Sequence, residues 1–158
     1  KGKKQTKEPA KVMGHVENYA KLFCAVTGRK VTAAAIILMS ERVYNFQRIF
    51  NLRMGFGTRE HDTVPYRAVG PVTKEEYESR EERYDKQLKE KLGGGPSGQW
   101  TQEKSAMLRK YREAEYEKLK DAVYKRRGWN QNGVPTMEKA KALGIDFPDV
   151  IELLKQKQ

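Results

Sequence analysis

The sequence predicts an all-α fold: an irregular helical domain that carries a long charged antiparallel helical hairpin. Three observations lead there. Apolar residues recur at helical spacing over several stretches, threonines and glycines stand where helices should start and stop, and no stretch alternates as a half-buried strand would.

Residues 1–13 read as a linker or loop, with five Lys against Glu8 in residues 1–12 and Pro9 as a breaker. The first helix follows over about residues 15–26, where Val16, Tyr19, Ala20, Leu22, Phe23 and Val26 share a face. Gly28 suits the left-handed position that closes it. Thr32 is a good N-cap for a second helix over residues 33–53. This is the most apolar helix of the chain, and burial on more than one side is expected for it. Residues 54–67 form an irregular polar loop broken by Gly55, Gly57 and Pro65.

Thr73 with Glu76 makes a capping box that opens a charged helix over residues 74–92, stopped by Gly93-Gly94-Gly95-Pro96. A second charged helix over residues 102–127 completes the hairpin, because a short Gly/Pro/Ser loop joins the two. Its Tyr124 end is expected to pack more firmly than the rest. Residues 128–135 form a turn, Thr136 caps a short helix stopped by Gly144, and Asp146 is the expected cap of a last helix from about residue 148 to 155. The organisation expected is thus a core over 14–72, a hairpin over 73–127, and a C-terminal turn with short helices over 128–158 that packs on the core.

Composition narrows the function. In 158 residues, 37% are hydrophobic and 34% charged, so the material for burial is limited. Two Trp, eight Tyr and five Phe nevertheless exceed what a disordered chain carries. The expectation is a compact part with a charged helical appendage, or a segment that finishes its core against neighbouring protein. The net charge of +11 raises nucleic acid, an anionic membrane surface or an acidic partner. Its distribution argues against nucleic acid, since residues 73–127 hold 15 basic and 12 acidic side chains, the near-balance of an ion-paired solvated helix. The longest apolar run, residues 33–39, is far short of the roughly 20 residues that span a bilayer. A single cysteine, Cys24, excludes an internal disulfide and a closed cysteine-based metal site, and it suits a cytoplasmic location.

No complete catalytic or metal centre emerges from the residues alone. Cys24 lies on an apolar helix side and reads as a buried structural thiol. His61-Asp62 could pair for acid–base work, yet adjacent loop residues tend to point apart. Lys125-Arg126-Arg127 complements a helix C-terminus better than it makes a phosphate site, and Tyr111, Tyr116 and Tyr124 read as packing residues.

Three stretches go further. Residues 40–56, running on through Thr58-Arg59, Asp62-Thr63-Val64-Pro65 and Arg67, resemble a run near the C-terminus of the aldehyde ferredoxin oxidoreductase family. Arg127-Gly128-Trp129, Gly133-Val134-Pro135-Thr136 and Leu143-Gly144 resemble that family's terminal motif, and Ala25-Val26-Thr27-Gly28 a motif ahead of both. The resemblance covers about residues 14–68 and 124–146, and the charged hairpin between looks like an enlarged insertion. Met54 stands where the family has Glu and Val64 where it has Leu, and Gly57 is additional.

The resemblance implies the C-terminal part of a larger enzyme that carries a tungsten (or molybdenum) bis-pyranopterin and a [4Fe-4S] cluster. Typical members oxidise aldehydes with ferredoxin, and similar subunits form the tungsten component of class II benzoyl-coenzyme A reductases. The cluster cysteines would fall at or before residue 1, so no catalytic residue and no metal ligand is assigned here, Cys24 included. The segment alone is expected to be inactive. Arg53, Arg59 and His61 are the cofactor-binding candidates, since their side chains could face the cavity and meet pterin phosphates or a substrate carboxylate. The partners implied are the remainder of the same enzyme and an iron–sulfur electron-transfer subunit or ferredoxin, in an oligomer, without nucleic acid or a membrane span. An alternative assigns the hairpin to docking a partner electron-transfer subunit.

Overall fold

Thr32, Thr73 and Thr136 each begin a helix as the sequence indicates. Their hydroxyls accept from the backbone N–H of Ala35, Glu76 and Lys139, satisfying donors that a first helical turn leaves open. The computed structural model describes residues 13–93 and 101–157. They form α1 (Met13–Thr27), α2 (Ala33–Arg53), α3 (Lys74–Glu78), α4 (Glu81–Leu92), α5 (Thr101–Arg127), α6 (Met137–Leu143) and α7 (Pro148–Lys157). Short 3-10 turns lie at Arg59–His61 and Tyr66–Ala68, and no strand occurs among the described residues. The expected linker, apart from Met13, and most of the glycine-rich stop after Gly93 lie outside the described residues. The chain divides into two compact units, Thr58–Gly133 forming one and the residues on either side of it the other.

In the flanking unit, α2 meets α6 and α7 through Ile49, Leu52, Val134, Ala140, Leu143, Ile145, Val150 and Leu154, all buried. Each large aliphatic among them contributes roughly 1.5–3 kcal/mol by leaving water. Polar pins fix the register: Arg42 Nε donates to Leu143 O at 2.7 Å, and Lys139 Nζ lies 2.9 Å from Glu41 Oε2. Gly144 closes α6 at φ +63°, a left-handed position where a side chain would be strained. Pro148 takes the first position of α7, where its missing N–H costs nothing. The residue ahead of that helix is therefore Phe147, whose carbonyl accepts from Ile151 N–H, and not Asp146 as expected.

The expected many-sided burial of α2 is not observed. Only Asn45, Arg48, Ile49 and Leu52 are buried, one stripe at three- and four-residue spacing. Ile37, Leu38, Met39, Val43, Tyr44, Phe46 and Phe50 remain exposed, because apolar residues surround this helix while α1, α6 and α7 together cover only part of it. The same holds for α1, where Tyr19, Leu22 and Val26 are exposed and Ala20 is buried.

In the other unit the hairpin has its own core. Tyr77, Tyr84, Leu88 and Leu108 are buried together, with Met107 against them. Packing is therefore not concentrated at the Tyr124 end. The first limb is also not one helix: it breaks at Ser79-Arg80. Ser79 Oγ donates to Glu76 O at 2.8 Å, a local bond that competes with helix continuation. The break lets Tyr77 and Tyr84 meet at 5.2 Å between ring centres and lets Tyr77 Oη donate to Asp85 Oδ1 at 2.6 Å. Lys104 Nζ closes the network on Asp85 Oδ2 at 2.8 Å. Burial first, then the Asp85 carboxylate, pushes the Tyr77 phenol well above its ordinary value.

Candidate functional site

The polar loop is held by a sequence of local devices. Glu76 reaches back to accept from Val72 N–H at 2.8 Å while Thr73 accepts from Glu76 N–H, so the capping box also anchors the end of the loop. Arg109 stacks 3.5 Å from the centre of the Tyr66 ring and donates to Pro71 O at 3.0 Å, tying the loop to α5.

Arg59 sits at the start of the first 3-10 turn. Its backbone N–H donates to Asn132 O at 2.9 Å. Nη1 donates to Asp121 Oδ1 at 2.7 Å and to Gln131 O at 3.1 Å, and Nη2 to Glu117 Oε2 at 2.5 Å. The guanidinium also lies 5.7 Å from the centre of the Tyr124 ring. Hydrogen bonds to Asp121, then to Glu117, hold it still further above the ordinary arginine value, so it is a permanent cation. Glu117 in turn is held below the usual carboxylate range by Lys120 first and Arg59 second. Both faces of the fork are thus occupied by carboxylates. As it stands, Arg59 clamps the loop onto α5 and onto the turn before Gly133.

His61 belongs to the same turn. Its Nδ1 is 2.7 Å from Thr58 Oγ1 and 3.8 Å from Glu60 Oε1. The adjacent Asp62 accepts from the phenol of buried Tyr124, whose ring lies 5.7 Å from that of Trp129. Arg59 and His61 are therefore neighbours on one turn. Arg53, in the flanking unit, is at the end of α2 and donates to Asp149 Oδ2 at 2.6 Å in an exposed pair. Asp149 is held below its ordinary value by that bond.

Cys24 is half-buried. Its sulfur accepts from Val31 N–H at 3.3 Å and donates to Val31 O at 3.6 Å, which joins α1 to the start of α2. Among the described residues no group of three or more His, Cys, Asp or Glu is arranged to hold a metal ion. Those described residues therefore offer no ligand set for a metal ion or an iron–sulfur cluster.

A family model described as aldehyde ferredoxin oxidoreductase, domains 2 and 3, matches residues 5–145. The chain belongs to the aldehyde ferredoxin oxidoreductase family. It is 28% identical over 129 residues to the tungsten-containing aldehyde ferredoxin oxidoreductase of Pyrococcus furiosus, an alignment covering 82% of this chain and 16% of that protein. The proteins of the same description from Pyrococcus abyssi and Thermococcus kodakarensis are 25% and 26% identical, again over 82% of this chain and 16% of theirs. The chain thus spans about one sixth of the length of these relatives. No solved structure matches it.

Family membership gives the site its frame, but the partners that complete it were not visible in the sequence. Glu117 and Asp121 stand four apart on α5, which places two carboxylates on one helix face. That spacing was legible. That residue 59 would lie opposite them was not, since Arg59 and Glu117 are 58 positions apart in sequence.

Proposed function

We propose that this chain is the C-terminal part of a tungsten- or molybdenum-pterin oxidoreductase that oxidises aldehydes to carboxylic acids and passes the electrons to ferredoxin or an iron–sulfur partner subunit. One observation carries the reading: the family match extends over residues 5–145, and the relatives it joins are tungsten-containing aldehyde ferredoxin oxidoreductases. The pterin–metal group and a [4Fe-4S] cluster would be held by residues outside this chain, and the segment alone would be inactive. No step of the reaction is assigned to its side chains.

The segment's part in the enzyme is structural. The exposed apolar face of α1 and α2, including Leu22, Val26, Val43 and Phe50, is the surface expected to pack on the remainder of the enzyme, of which this chain is a small fraction. A groove of about 490 Å³ between those helices, lined by Tyr19, Leu22, Phe23, Val26 and Ile36, is part of it. Arg53, Arg59 and His61 are proposed to border the cavity. Among the described residues Arg53 pairs with the exposed Asp149 and can exchange it for an anionic group, whereas Arg59 would position the loop that carries His61. No described helix is long and apolar enough to cross a membrane, and a cytoplasmic oligomer is the proposed state.

Reduction of an aromatic acyl-coenzyme A is the alternative chemistry of the same enzyme, and a second reading makes the hairpin a docking module for a partner electron-transfer subunit. What favours a separate role for the hairpin is its independent core of Tyr77, Tyr84, Leu88 and Leu108. The test is anaerobic assay of the full-length protein with an artificial low-potential dye. Aldehyde-dependent dye reduction supports the first reading. Reduction of an aromatic acyl-coenzyme A without aldehyde activity replaces aldehyde oxidation with that alternative chemistry.

A further inference from the structure

The unit formed by Thr58–Gly133 contains a polar pocket of about 300 Å³ that neither reading above uses. Four guanidinium side chains line it: Arg67, Arg80, Arg83 and Arg112. One carboxylate, Glu76, faces them, and it is already occupied by Arg67 and by the Val72 N–H. The formal charge of these five groups is therefore +3, four arginines less one glutamate. We propose that this pocket binds a phosphoryl group of a small molecule, with a diphosphate as the best match.

The fold builds the pocket. The Ser79-Arg80 break turns the chain between α3 and α4, and this places Arg80 and Arg83 on one wall. Both are exposed, and neither is tied to a carboxylate by a hydrogen bond or close ion pair among the described residues. Glu76 feels Arg80 only through space. Arg112 forms the inner wall, donating to Gln87 Oε1 at 2.7 Å and lying over the Tyr84 ring at 5.4 Å. Burial presses the Arg112 guanidinium below its ordinary value, and Arg83 and Arg109 add to this by repulsion. A bound anion would relieve that repulsion.

The ligand class follows from geometry and size. Guanidinium forks match phosphate oxygens bidentately, and several of them converging on one concavity favour a multiply charged oxyanion over a single carboxylate. The volume is at the lower end for small-molecule pockets, roughly 300–1,000 Å³, which admits a diphosphate and excludes a docked helix. The pocket lies within the hairpin unit, so this proposal stands apart from the oxidoreductase reading and can fail without it.

The experiment is titration calorimetry on the full-length protein, cofactors in place, with inorganic phosphate, pyrophosphate and ADP as probes at physiological ionic strength. The expected result is saturable one-to-one binding of pyrophosphate, tighter than phosphate. A further gain with ADP would assign the group to a nucleotide, and equal affinity to the free diphosphate. The double variant Arg80→Gln/Arg83→Gln should weaken binding by about tenfold or more, with Arg80→Lys/Arg83→Lys losing less. Since Arg80 is the residue that leads into α4, Arg83→Gln alone serves if the double variant alters the circular dichroism. The proposal is overturned by no saturable binding at millimolar pyrophosphate. It is equally overturned by unchanged affinity in folded Gln variants, or by citrate or an octaglutamate peptide binding as tightly as pyrophosphate.

Discussion

Replacing Phe50 by Ala distinguishes an apolar face that rests against protein from one that meets water. In the structure Phe50 is 56% exposed, while Leu154, in the core shared by α2, α6 and α7, is fully buried at 0%. Full burial of such a side chain is worth roughly 1.5–3 kcal/mol. With under half of Phe50 already covered, its truncation on a solvated face should cost less than about 1.5 kcal/mol. If the remainder of the enzyme covers it, the loss becomes that of a core Phe, about 3–5 kcal/mol, because a cavity is added to the lost transfer energy. Leu154→Ala is the internal standard, at about 2–5 kcal/mol in either case. The assay is chemical or thermal unfolding of the full-length protein, comparing both variants with the parent. Phe50→Ala should be as damaging as Leu154→Ala. A surface-like effect beside a clearly destabilised Leu154→Ala refutes the idea that α1 and α2 are completed by other parts of the enzyme.

Cys24→Ala should leave the iron–sulfur signal of the full-length protein intact, because its sulfur is engaged with Val31 and not with a cluster; electron paramagnetic resonance showing a lost cluster in a folded variant would contradict this. Arg59→Met should speed amide hydrogen exchange over residues 58–68 and leave the amides of α7 unaffected, since it removes the bonds to Glu117, Asp121 and Gln131; unchanged exchange in the loop would remove the clamp role. Acid should destabilise the chain by a definite route. Asp85, Glu117 and Asp149 are all held below their ordinary values, Asp85 by Lys104 and Tyr77 against the opposing effect of burial. Groups of this kind add stability that is complete above the unfolded value, near pH 4, and lost as pH falls through the lower folded values. Lys104, raised chiefly by its bond to Asp85, adds stability that is lost only as pH rises through its folded value, above about 10.4. Melting temperatures should therefore hold from neutrality to about pH 5 and fall below that; a fall beginning above pH 6 would point to other groups.

Local chemistry was legible residue by residue. Thr32, Thr73 and Thr136 are caps because a hydroxyl at those positions meets an open N–H, and Gly28 and Gly144 are stops because each takes a positive φ. Those are short-range matters, decided within four residues. The break at Ser79-Arg80 was not legible, since residues 74–92 have continuous helical propensity and the gain from breaking lies in burying Tyr77 against Tyr84, Leu88 and Leu108. Arg59 is the same lesson at the site. Its type suggested an anion, and the structure supplies two from α5, a helix whose approach no local pattern encodes. The apolar residues of α2 misled for another reason: periodicity reports that a surface wants a partner, without saying whether the partner is in the same chain. The pocket arginines were distributed over residues 67–112 and formed no run.

The most direct test of the central claim is elemental and pterin analysis of the full-length protein, purified anaerobically in active form. The account predicts tungsten, or molybdenum in its place, together with a pterin released on denaturation. Active protein containing neither metal would contradict it.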